Sequence, residues 1–529
     1  MFWADSTTED IIKGRKKTNY VVTDWKTPSG KIHVGALRGV IIHDVISRAL
    51  IEKNKKVKYI YGFDNFDPMD DLPAGIDPSY RKYLGMPLCE IPAPERALPR
   101  LGGRAKAGNS FDHFYADEFK KVYQDLGVES EIVWMSEYYK HGKMDDSIKM
   151  VLENAKKIRE IYLKVSGSKK GKNWYPFQVV CPSCKKIGTT EVDDFKDNKV
   201  HFNCKKDLVS WAQGCGKEGW ISPYKGAGKI PYKVEIAAKW NLFGTDFEAA
   251  GKDHYTKGGT FDVAKEIARE VFKIKPATGF GYEWFLVAGK KMSTSKGIGF
   301  SAEEISKIMP SEILRFLMVR TRPKRTIDFE PYGESIPALF NDFDIALLEY
   351  IKDPKSDAGR IFNFSMINKE RKLSQYNLKF SKIAYMLQMP RADLTKYAEQ
   401  EKGTKLTNVE QAEINLRENY AKGWLKDYAP ENYKFEIKSK MPKEANKLSN
   451  LQKEFLSKIL EKYKEKKWAG EDLHHEIHKI RKELSINPRE AFGAIYLIFI
   501  GKDSGPQAGW FLTSLDKDLV EDRLKESIK

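Results

Sequence analysis

Two short segments, far apart in the chain, carry residues suited to binding the phosphates of a nucleotide. The first is TPSGKIHVGALRG, Thr27–Gly39, in which a turn leads to His33 and then to Gly35. A helix that begins at such a glycine presents backbone N–H groups and a positive dipole end to an anion. The second is KKMSTSKG, residues 290–297, whose lysines suit a pyrophosphate leaving group. Each segment alone has common structural explanations, but the pair in this order predicts a nucleotide site.

The cysteines indicate a metal site. Four of the five lie in one short region: Cys181, Cys184, Cys204 and Cys215. This clustering favours a reducing compartment and a zinc site over a disulfide framework, because four thiolates form a closed tetrahedral site. The gap before the last cysteine is longer than a standard knuckle, so His201 is an alternative ligand. A site without an open position is structural and stabilises a small insertion; Cys89 is expected to be an ordinary buried thiol.

The elements around the first segment have the pattern of a βαβ unit. Tyr20–Asp24 is a β-branched and aromatic run, apolar residues recur at helical spacing from Gly35, and Val57–Phe63 is strand-like again. This order is typical of a parallel α/β sheet. Helices are predicted at Phe111–Gly127 and Asp145–Val165, and α/β character returns before the lysine-rich segment.

Beyond about residue 301 the pattern is largely helical, with Pro310 separating two helices. Lysine and arginine outnumber acidic residues by 91 to 74, a net charge of +17. A lysine-rich surface is often only solubilising, but an excess this large favours a polyanionic partner. No apolar run reaches the length of a membrane helix and the N-terminus lacks an apolar signal region, so a cytoplasmic protein without membrane contact is expected.

The two segments resemble the signature motifs of class I aminoacyl-tRNA synthetases. HVGA at His33–Ala36 is similar to the "HIGH" motif, and KMSTS at residues 291–295 is similar to "KMSKS". Ala36 and Thr294 depart from the family pattern, and Lys296 could supply the missing charge. The resemblance implies a split Rossmann (HUP-like) catalytic domain that binds ATP with Mg²⁺ and forms an aminoacyl-adenylate. It implies ATP contacts from His33, Gly35 and Lys291, and a catalytic set of His33, Gly35, Lys291, Ser293, Ser295 and Lys296.

Further segments resemble the archaeal-type class I lysyl-tRNA synthetases. They include FDNFDPMDD (63–71), GKDH (251–254), residues 314–331 and residues 491–515. This resemblance implies L-lysine, ATP and tRNA-Lys as substrates and partners. It implies a pocket that begins near Asp24 and a set of lysine contacts: Thr27, Tyr232, His254 and Tyr282. Glu235, Asp253 and Glu283 are carboxylate candidates for the substrate ammonium. A second metal near Asp112 and His113 is less favoured than a capped helix start.

The predicted organisation is a catalytic domain interrupted by a zinc-bearing insertion and followed by an all-α anticodon-binding domain. The predicted limits are 1–88 and 230–300 for the two catalytic halves, 89–229 for the insertion (zinc module about 174–225), 301–345 for a helical junction and 346–529 for the anticodon-binding domain. The alternatives are a class I synthetase for glutamate, cysteine or arginine, a small nucleotidyltransferase, and a non-catalytic tRNA-binding paralogue.

Overall fold

The chain forms two compact units. The computed structural model describes all residues except 95–109, 292–299, 391 and 432, and describes Lys291 by its backbone alone. The first unit comprises residues 1–307, 311–329 and 352–369, and the second comprises 308–310, 330–351 and 370–529. The predicted Ser293, Ser295 and Lys296 therefore lie outside the described residues.

The strands are β1 (Asn19–Lys26), β2 (Lys56–Phe63), β3 (Glu131–Trp134), β4 (Gln178–Val179), β5 (Thr190–Lys196), β6 (Lys199–Cys204), β7 (Glu218–Ile221), β8 (Gly228–Lys229), β9 (Ala250–Gly251), β10 (Gly281–Tyr282), β11 (Phe285–Val287), β12 (Lys290–Lys291) and β13 (Ile327–Phe329). The helices are α1 (Trp3–Arg15), α2 (Gly35–Glu52), α3 (Phe111–Asp125), α4 (Met135–Lys140), α5 (Asp145–Glu153), α6 (Ala155–Ser166), α7 (Tyr232–Phe243), α8 (Thr260–Glu270), α9 (Ala302–Ser306), α10 (Ser311–Arg320), α11 (Ser335–Lys352), α12 (Asp357–Ser365), α13 (Phe380–Met386), α14 (Leu394–Lys402), α15 (Asn408–Asp427), α16 (Asn450–Glu465), α17 (Gly470–Glu483), α18 (Pro488–Ile500), α19 (Ala508–Ser514) and α20 (Lys517–Ser527). Short 3₁₀ turns occupy Pro78–Tyr83, Leu88–Glu90, Lys252–Tyr255 and Lys443–Lys447.

A parallel sheet organises the first unit. Strand β1 pairs in parallel with β2, and β2 pairs in parallel with β3. On the other side of β1, parallel bridges join Val22 to Phe247 and Phe247 to Thr278, and β9 pairs in parallel with β10. The order across the sheet is therefore β3, β2, β1, the segment 247–251 that includes β9, and the segment 278–282 that includes β10. This is the order of a doubly wound Rossmann-type sheet, and it confirms the predicted fold class.

The helix that follows β1 is amphipathic in sequence but almost wholly buried. Its apolar residues Leu37, Val40, Val45, Ile46 and Leu50 have no exposed surface. Burying each such side chain contributes about 1.5–3 kcal/mol, so α2 is a fixed support for the turn that precedes it. The predicted start at Gly35 is confirmed.

The insertion between the two halves of the sheet contains helices and a small antiparallel module. Strands β5, β6 and β7 form an antiparallel sheet, and β4 pairs with β8 at its stem. The single helix predicted at Asp145–Val165 is instead two helices, α5 and α6. Asn154 lies at the break, where its side chain donates to the carbonyl of Met150, a local bond that competes with the helical one.

In the described residues of the second unit, all regular secondary structure is helical. Buried Arg417 on α15 pairs with Asp344 on α11 and with Glu413 one turn away. Trp424 is buried against Phe380 and Tyr433, so it belongs to the core. Across the described parts of both units, none of the helices combines the length and the apolar character needed to cross a membrane.

Candidate active site

A cavity of about 280 Å³ opens at the carboxyl ends of β1 and β9. These strands lie where the sheet order reverses, since β2 is on one side of β1 and the strand through Phe247 on the other. Ligands of doubly wound sheets bind at this switch point. The main polar and aromatic lining residues are Asp24, Trp25, Lys26, His33, Tyr61, Tyr232, Glu248, Asp253, His254, Phe261, Tyr282, Glu283, Trp284 and Phe285, together with the backbone near Gly35 and Gly251.

The first motif borders this cavity and is held by the chain that follows the second motif. His33 forms an antiparallel bridge with Ser301, and the N–H of Val34 donates to the carbonyl of Phe300 over 3.1 Å. On the other side of the undescribed segment 292–299, β12 pairs with β11, which begins at the lining residue Phe285. Both ends of that segment are therefore anchored beside the cavity that His33 lines. Lys291 belongs to β12, and its role stays a prediction.

Two buried side chains fix α2 against the cavity walls. The Arg38 guanidinium donates to the carbonyls of Trp284 over 3.0 Å and of Arg322 over 3.1 Å. His43 donates from Nδ1 to the carbonyl of Gly39 and accepts at Nε2 from the N–H of Ala249. Burial lowers the pKa of His43 to about 4, which agrees with a neutral ring of this tautomer. The walls formed by Trp284 and Ala249 are thus tied to the helix that carries Gly35.

Three of the four predicted lysine contacts line the cavity. The rings of Tyr232 and His254 meet edge to face with centroids 5.9 Å apart, and Tyr282 lies over α2. Thr27 is not among the lining residues; its hydroxyl donates to Asp67 Oδ2 over 2.7 Å. The cavity therefore gathers His33, Gly35, Tyr232, His254 and Tyr282, and leaves Thr27 beside its wall.

Two buried acids face the cavity. Burial raises the pKa of Asp24 to about 8, although the N–H of Trp25 and the charge of Lys26 oppose it. Burial raises the pKa of Glu248 to about 7, even though its Oε2 accepts from Thr23, Trp25 and Trp240 over 2.6, 3.1 and 3.1 Å. A bound cation would favour the ionised form of both groups.

Sequence reasoning missed Glu248. It lies between buried Phe247 and Ala249, in a segment too short to be recognised as part of the sheet by alternation. A single acid inside an apolar run was the available signal. Among the carboxylates proposed from the sequence, Asp253 and Glu283 line the cavity, and Glu283 is 2.6 Å from Lys252. Glu235 does not line it and instead contacts Lys229 and Lys239 at 3.3 Å each.

Gly39→Ala is expected to raise the KM for the amino acid about tenfold without lowering stability. An added Cβ would lie 2.6 Å from the Tyr282 hydroxyl and 3.3 Å from Asp24 Oδ2, so the Tyr282 hydroxyl must shift from its place in the cavity wall. Alanine itself favours the helix by roughly 1 kcal/mol. Gly14→Ala on α1 is the matched control, since its added Cβ meets nothing within 4 Å. Equal KM values for the two variants, measured by amino-acid-dependent ATP–pyrophosphate exchange, would contradict this role of Tyr282.

The four predicted cysteine ligands come together. Their sulfur atoms all lie within 4.8 Å of one another, with Cys181 and Cys215 separated by 3.6 Å and Cys184 and Cys204 by 3.7 Å. Four thiolates about 2.3 Å from a zinc ion in a tetrahedron would be about 3.8 Å apart, so these residues fit that metal. His201 is directed to Asp193, 2.7 Å away. Among the described residues, this is the one group of three or more potential metal ligands.

Cys204→Ser is expected to abolish the binding of one zinc ion per chain and to lower the melting temperature. Structural zinc sites contribute apparent binding free energies of about 10 kcal/mol or more, and Cys204 is 1% exposed within the module. Metal content by emission spectroscopy and thermal melting measure both effects. Cys89→Ser is the control and should keep its zinc. A zinc content unchanged by Cys204→Ser would rule out this ligand set.

The alternative metal site near α3 is not assembled. Asp112 is buried and accepts from the side chain of Asn65 over 2.7 Å. The ring of His113 stacks on Trp134 with centroids 3.8 Å apart. The segment is the start of a helix, as preferred, but the expected cap is wrong: Ser110 makes no capping hydrogen bond with its side chain, and Asp112 is buried and not at the surface.

The chain matches known proteins over its whole length. The family described as tRNA synthetases class I (K) matches residues 1–368, and an anticodon binding domain family matches residues 425–528. The lysine–tRNA ligase of Thermoplasma volcanium is 34% identical over 529 residues, covering 99% of each chain. That of Thermoplasma acidophilum is 31% identical, covering 100% of this chain and 99% of the relative. That of Methanosarcina barkeri strain Fusaro is 32% identical, covering 99% and 97%.

The match of residues 1–368 to the class I family agrees with the Rossmann-type sheet and with the cavity at its switch point, and the anticodon-binding match agrees with the helical second unit. The chain is therefore a class I tRNA synthetase. Within that class, the chain belongs to the family designated K.

Proposed function

We propose that this chain is a class I lysyl-tRNA synthetase, which activates L-lysine with ATP and transfers the lysyl group to tRNA-Lys. The proposal draws on the family, on relatives named lysine–tRNA ligase that match nearly the whole chain, and above all on one property of the cavity. The cavity is lined both by residues of the first motif and by two buried acids of raised pKa, Asp24 and Glu248.

The acids suit a dibasic amino acid such as lysine better than glutamate or cysteine. Lysine carries two ammonium groups, and each gains from an ionised carboxylate in a low-dielectric site. Four acidic residues and one lysine are among the described lining residues, so a second substrate carboxylate, as in glutamate, would be repelled. The aromatic walls around Tyr232 and Tyr282 suit the apolar stem of lysine.

The chemistry needs no nucleophile from the protein. A carboxylate oxygen of lysine attacks the α-phosphorus of ATP, the bond to the bridging oxygen breaks, and pyrophosphate leaves. His33 and the N-terminus of α2 would stabilise the charge on the phosphates, and Lys291, Ser293, Ser295 and Lys296 would hold the leaving pyrophosphate. Mg²⁺ would accompany ATP. A hydroxyl of the tRNA 3′ terminus then attacks the lysyl carbonyl carbon, and AMP leaves.

The remaining parts of the chain are proposed to hold tRNA and zinc. The anticodon match at residues 425–528 supports tRNA binding by the second unit, and the charge of +17 of the whole chain favours a polyanionic partner. Partly exposed Trp468, with Lys466 Nζ 4.3 Å from its ring centre, could stack on an unpaired base. The cysteine module is proposed to hold structural Zn²⁺. The predicted domain limits, with the catalytic halves at 1–88 and 230–300, are part of this proposal.

Amino-acid-dependent ATP–pyrophosphate exchange tests the proposal. The full chain is assayed with each of the twenty amino acids, with and without tRNA. Exchange that depends on lysine supports it, and exchange with glutamate, cysteine or arginine instead would assign another substrate. Absence of exchange with every amino acid, together with retained tRNA binding, would favour the non-catalytic paralogue.

A further inference from the structure

Trp25, at the end of β1, donates hydrogen bonds to both buried acids of the cavity. Its backbone N–H donates to Asp24 Oδ1 over 2.9 Å, and its indole N–H donates to Glu248 Oε2 over 3.1 Å. Trp25 lines the cavity, and so do the two acids. Replacing its side chain therefore changes the contact with Glu248 and keeps the backbone contact with Asp24.

The indole ring is held by the residues packed around it. Trp25 pairs with Gly62 on β2, and a Cβ added to that glycine would lie 1.9 Å from a ring atom of Trp25. Lys239 Nζ lies over the ring, 4.2 Å from its centre, and the ring of Phe243 is 5.4 Å away between centroids. Lys239 is 1% exposed and forms an ion pair with Asp64, so this cation is itself fixed. The direction of the indole N–H is thus set by packing.

The two carboxylate oxygens of Glu248 have different surroundings. Oε2 accepts from Thr23, Trp25 and Trp240. None of the described residues donates to Oε1, and Oε1 is not among the buried polar atoms that lack a partner, so solvent reaches it. Because Glu248 is only 5% exposed and lines the cavity, its accessible oxygen faces the cavity.

We propose that Trp25 is a positioning residue for the amino-acid substrate, which acts through Glu248: its indole N–H holds Oε2, favours the ionised carboxylate and leaves Oε1 to accept from a substrate ammonium group. The inference rests on the proposed function and adds a specificity role for this tryptophan. Burial raises the pKa of Glu248 to about 7, and a hydrogen bond donated to the ionised form of an acid lowers its pKa. Without the indole N–H, the substrate meets a carboxyl group that is more often protonated.

Other charged and titratable groups surround Glu248, and they are unchanged when only Trp25 is replaced. Burial raises the pKa of Glu248, the charge of Lys239 lowers it and the charge of Asp24 raises it. A difference between the wild type and the variant at one pH therefore reports on the lost donor and not on these groups. They are Asp24 on β1, His43 on α2, Tyr232 and Lys239 on α7, Tyr255 in the turn at 252–255, and the further lining residues Lys26, Asp253, His254, Tyr282 and Glu283.

Trp25→Phe tests the proposal, because it keeps an aromatic ring and removes the indole N–H. The dissociation constant of lysine is measured by titration calorimetry on the full chain at pH 6 and at pH 9. At pH 6 it should rise about tenfold, the lower range for a hydrogen bond to a charged group. At pH 9 Glu248 is ionised with or without the donor, so the constant should stay within about twofold. An unchanged constant at pH 6, or an equal rise at both pH values, would overturn the proposal.

Glu248→Gln tests the same role without changing Trp25. The side-chain oxygen of glutamine can accept from the same three donors, so the fold should be kept while the negative charge is lost. Lysine should bind at least about tenfold more weakly at pH 9, and Trp25→Phe added to this variant should change the constant at pH 6 by less than about twofold. Wild-type affinity in Glu248→Gln at pH 9, or a further tenfold loss in the double variant, would overturn the proposal.

Trp3→Phe is the matched control. The indole N–H of Trp3 donates to the carbonyl of Val319 over 3.0 Å, and Trp3 is not among the residues that line the cavity. It should leave the dissociation constant of lysine unchanged at both pH values, and a raised constant would overturn the assignment to Trp25. A wild-type chain that neither binds lysine nor shows lysine-dependent exchange would refute the proposed function itself. Lysine binding without the pH-dependent effect of Trp25→Phe removes only the positioning role.

Discussion

His33→Ala is expected to lower the rate constant of lysine-dependent exchange about a hundred- to a thousandfold, the range for removing one donor to a developing charge. His33 lines the cavity directly before the helix that begins at Gly35. The charge on the phosphates grows during displacement, so the loss falls on kcat more than on the KM for lysine. Steady-state exchange at saturating ATP and lysine measures the effect, and Lys291→Ala should change it in the same direction.

The control for this prediction is His141→Ala. His141 is exposed at the end of α4 and contacts the carbonyl of Glu137, so its loss should leave the exchange rate unchanged. The two variants should melt within a few degrees of each other. If His33→Ala keeps more than about a tenth of the wild-type rate, the first motif has been given the wrong role.

The elements around His33 could be predicted because local patterns determine them. A short β-branched run gave β1, helical spacing gave α2, and the next run gave β2, each within about two residues. The strands through Phe247 and Thr278 were not recognised as such. They are joined to the sheet by isolated bridges: Phe247 pairs with Val22, more than two hundred positions away, and Thr278 pairs with Phe247. Their place in the sheet therefore depends on tertiary pairing and not on their own sequence.

The residues of the cavity likewise fall into those that local sequence predicted and those that it could not. His33 and Gly35 could be found from their place at a strand–helix turn, whereas Tyr232, His254 and Tyr282 were named only from a family resemblance. The role of Arg38 could not be foreseen, because its partners are backbone carbonyls near residues 284 and 322, which any sequence supplies. The raised pKa of Glu248 likewise depends on burial, which the fold creates and its neighbours in sequence do not encode.

Asp24→Asn is expected to raise the KM for lysine on the order of a hundredfold at pH 8, because truncating one partner of a buried charge pair costs about 2–5 kcal/mol. The control is Glu283→Gln. Glu283 also lines the cavity but is already neutralised by Lys252 at 2.6 Å, so its KM effect should be below about threefold. Equal increases in the KM for lysine in Asp24→Asn and Glu283→Gln would show that the cavity attracts lysine only through its total negative charge.

The pH dependence gives a second measurement on the same residue. In the empty cavity the pKa of Asp24 is about 8, so at lower pH the carboxyl is mainly protonated, and binding of an ammonium group must release its proton. The affinity for lysine should therefore rise with pH up to about 8, approaching tenfold per unit for this one group. Glu248, with a pKa of about 7, adds a second step below that pH. The pKa of Lys26 is lowered by burial, and His43, with a pKa of about 4, stays neutral.

Asp24→Asn should remove the step near pH 8 and keep the step near pH 7. The fold raises the pKa of Asp24 above its ordinary range, so ionising it costs stability, and the loss grows as the pH rises from about 4 to 8. A neutral asparagine does not have this cost. The variant should thus melt no lower than the wild type at pH 8 while binding lysine far more weakly. A lower melting temperature, or a step near pH 8 that survives the substitution, would mean that another group carries the titration and that Asp24 serves the fold instead of the substrate.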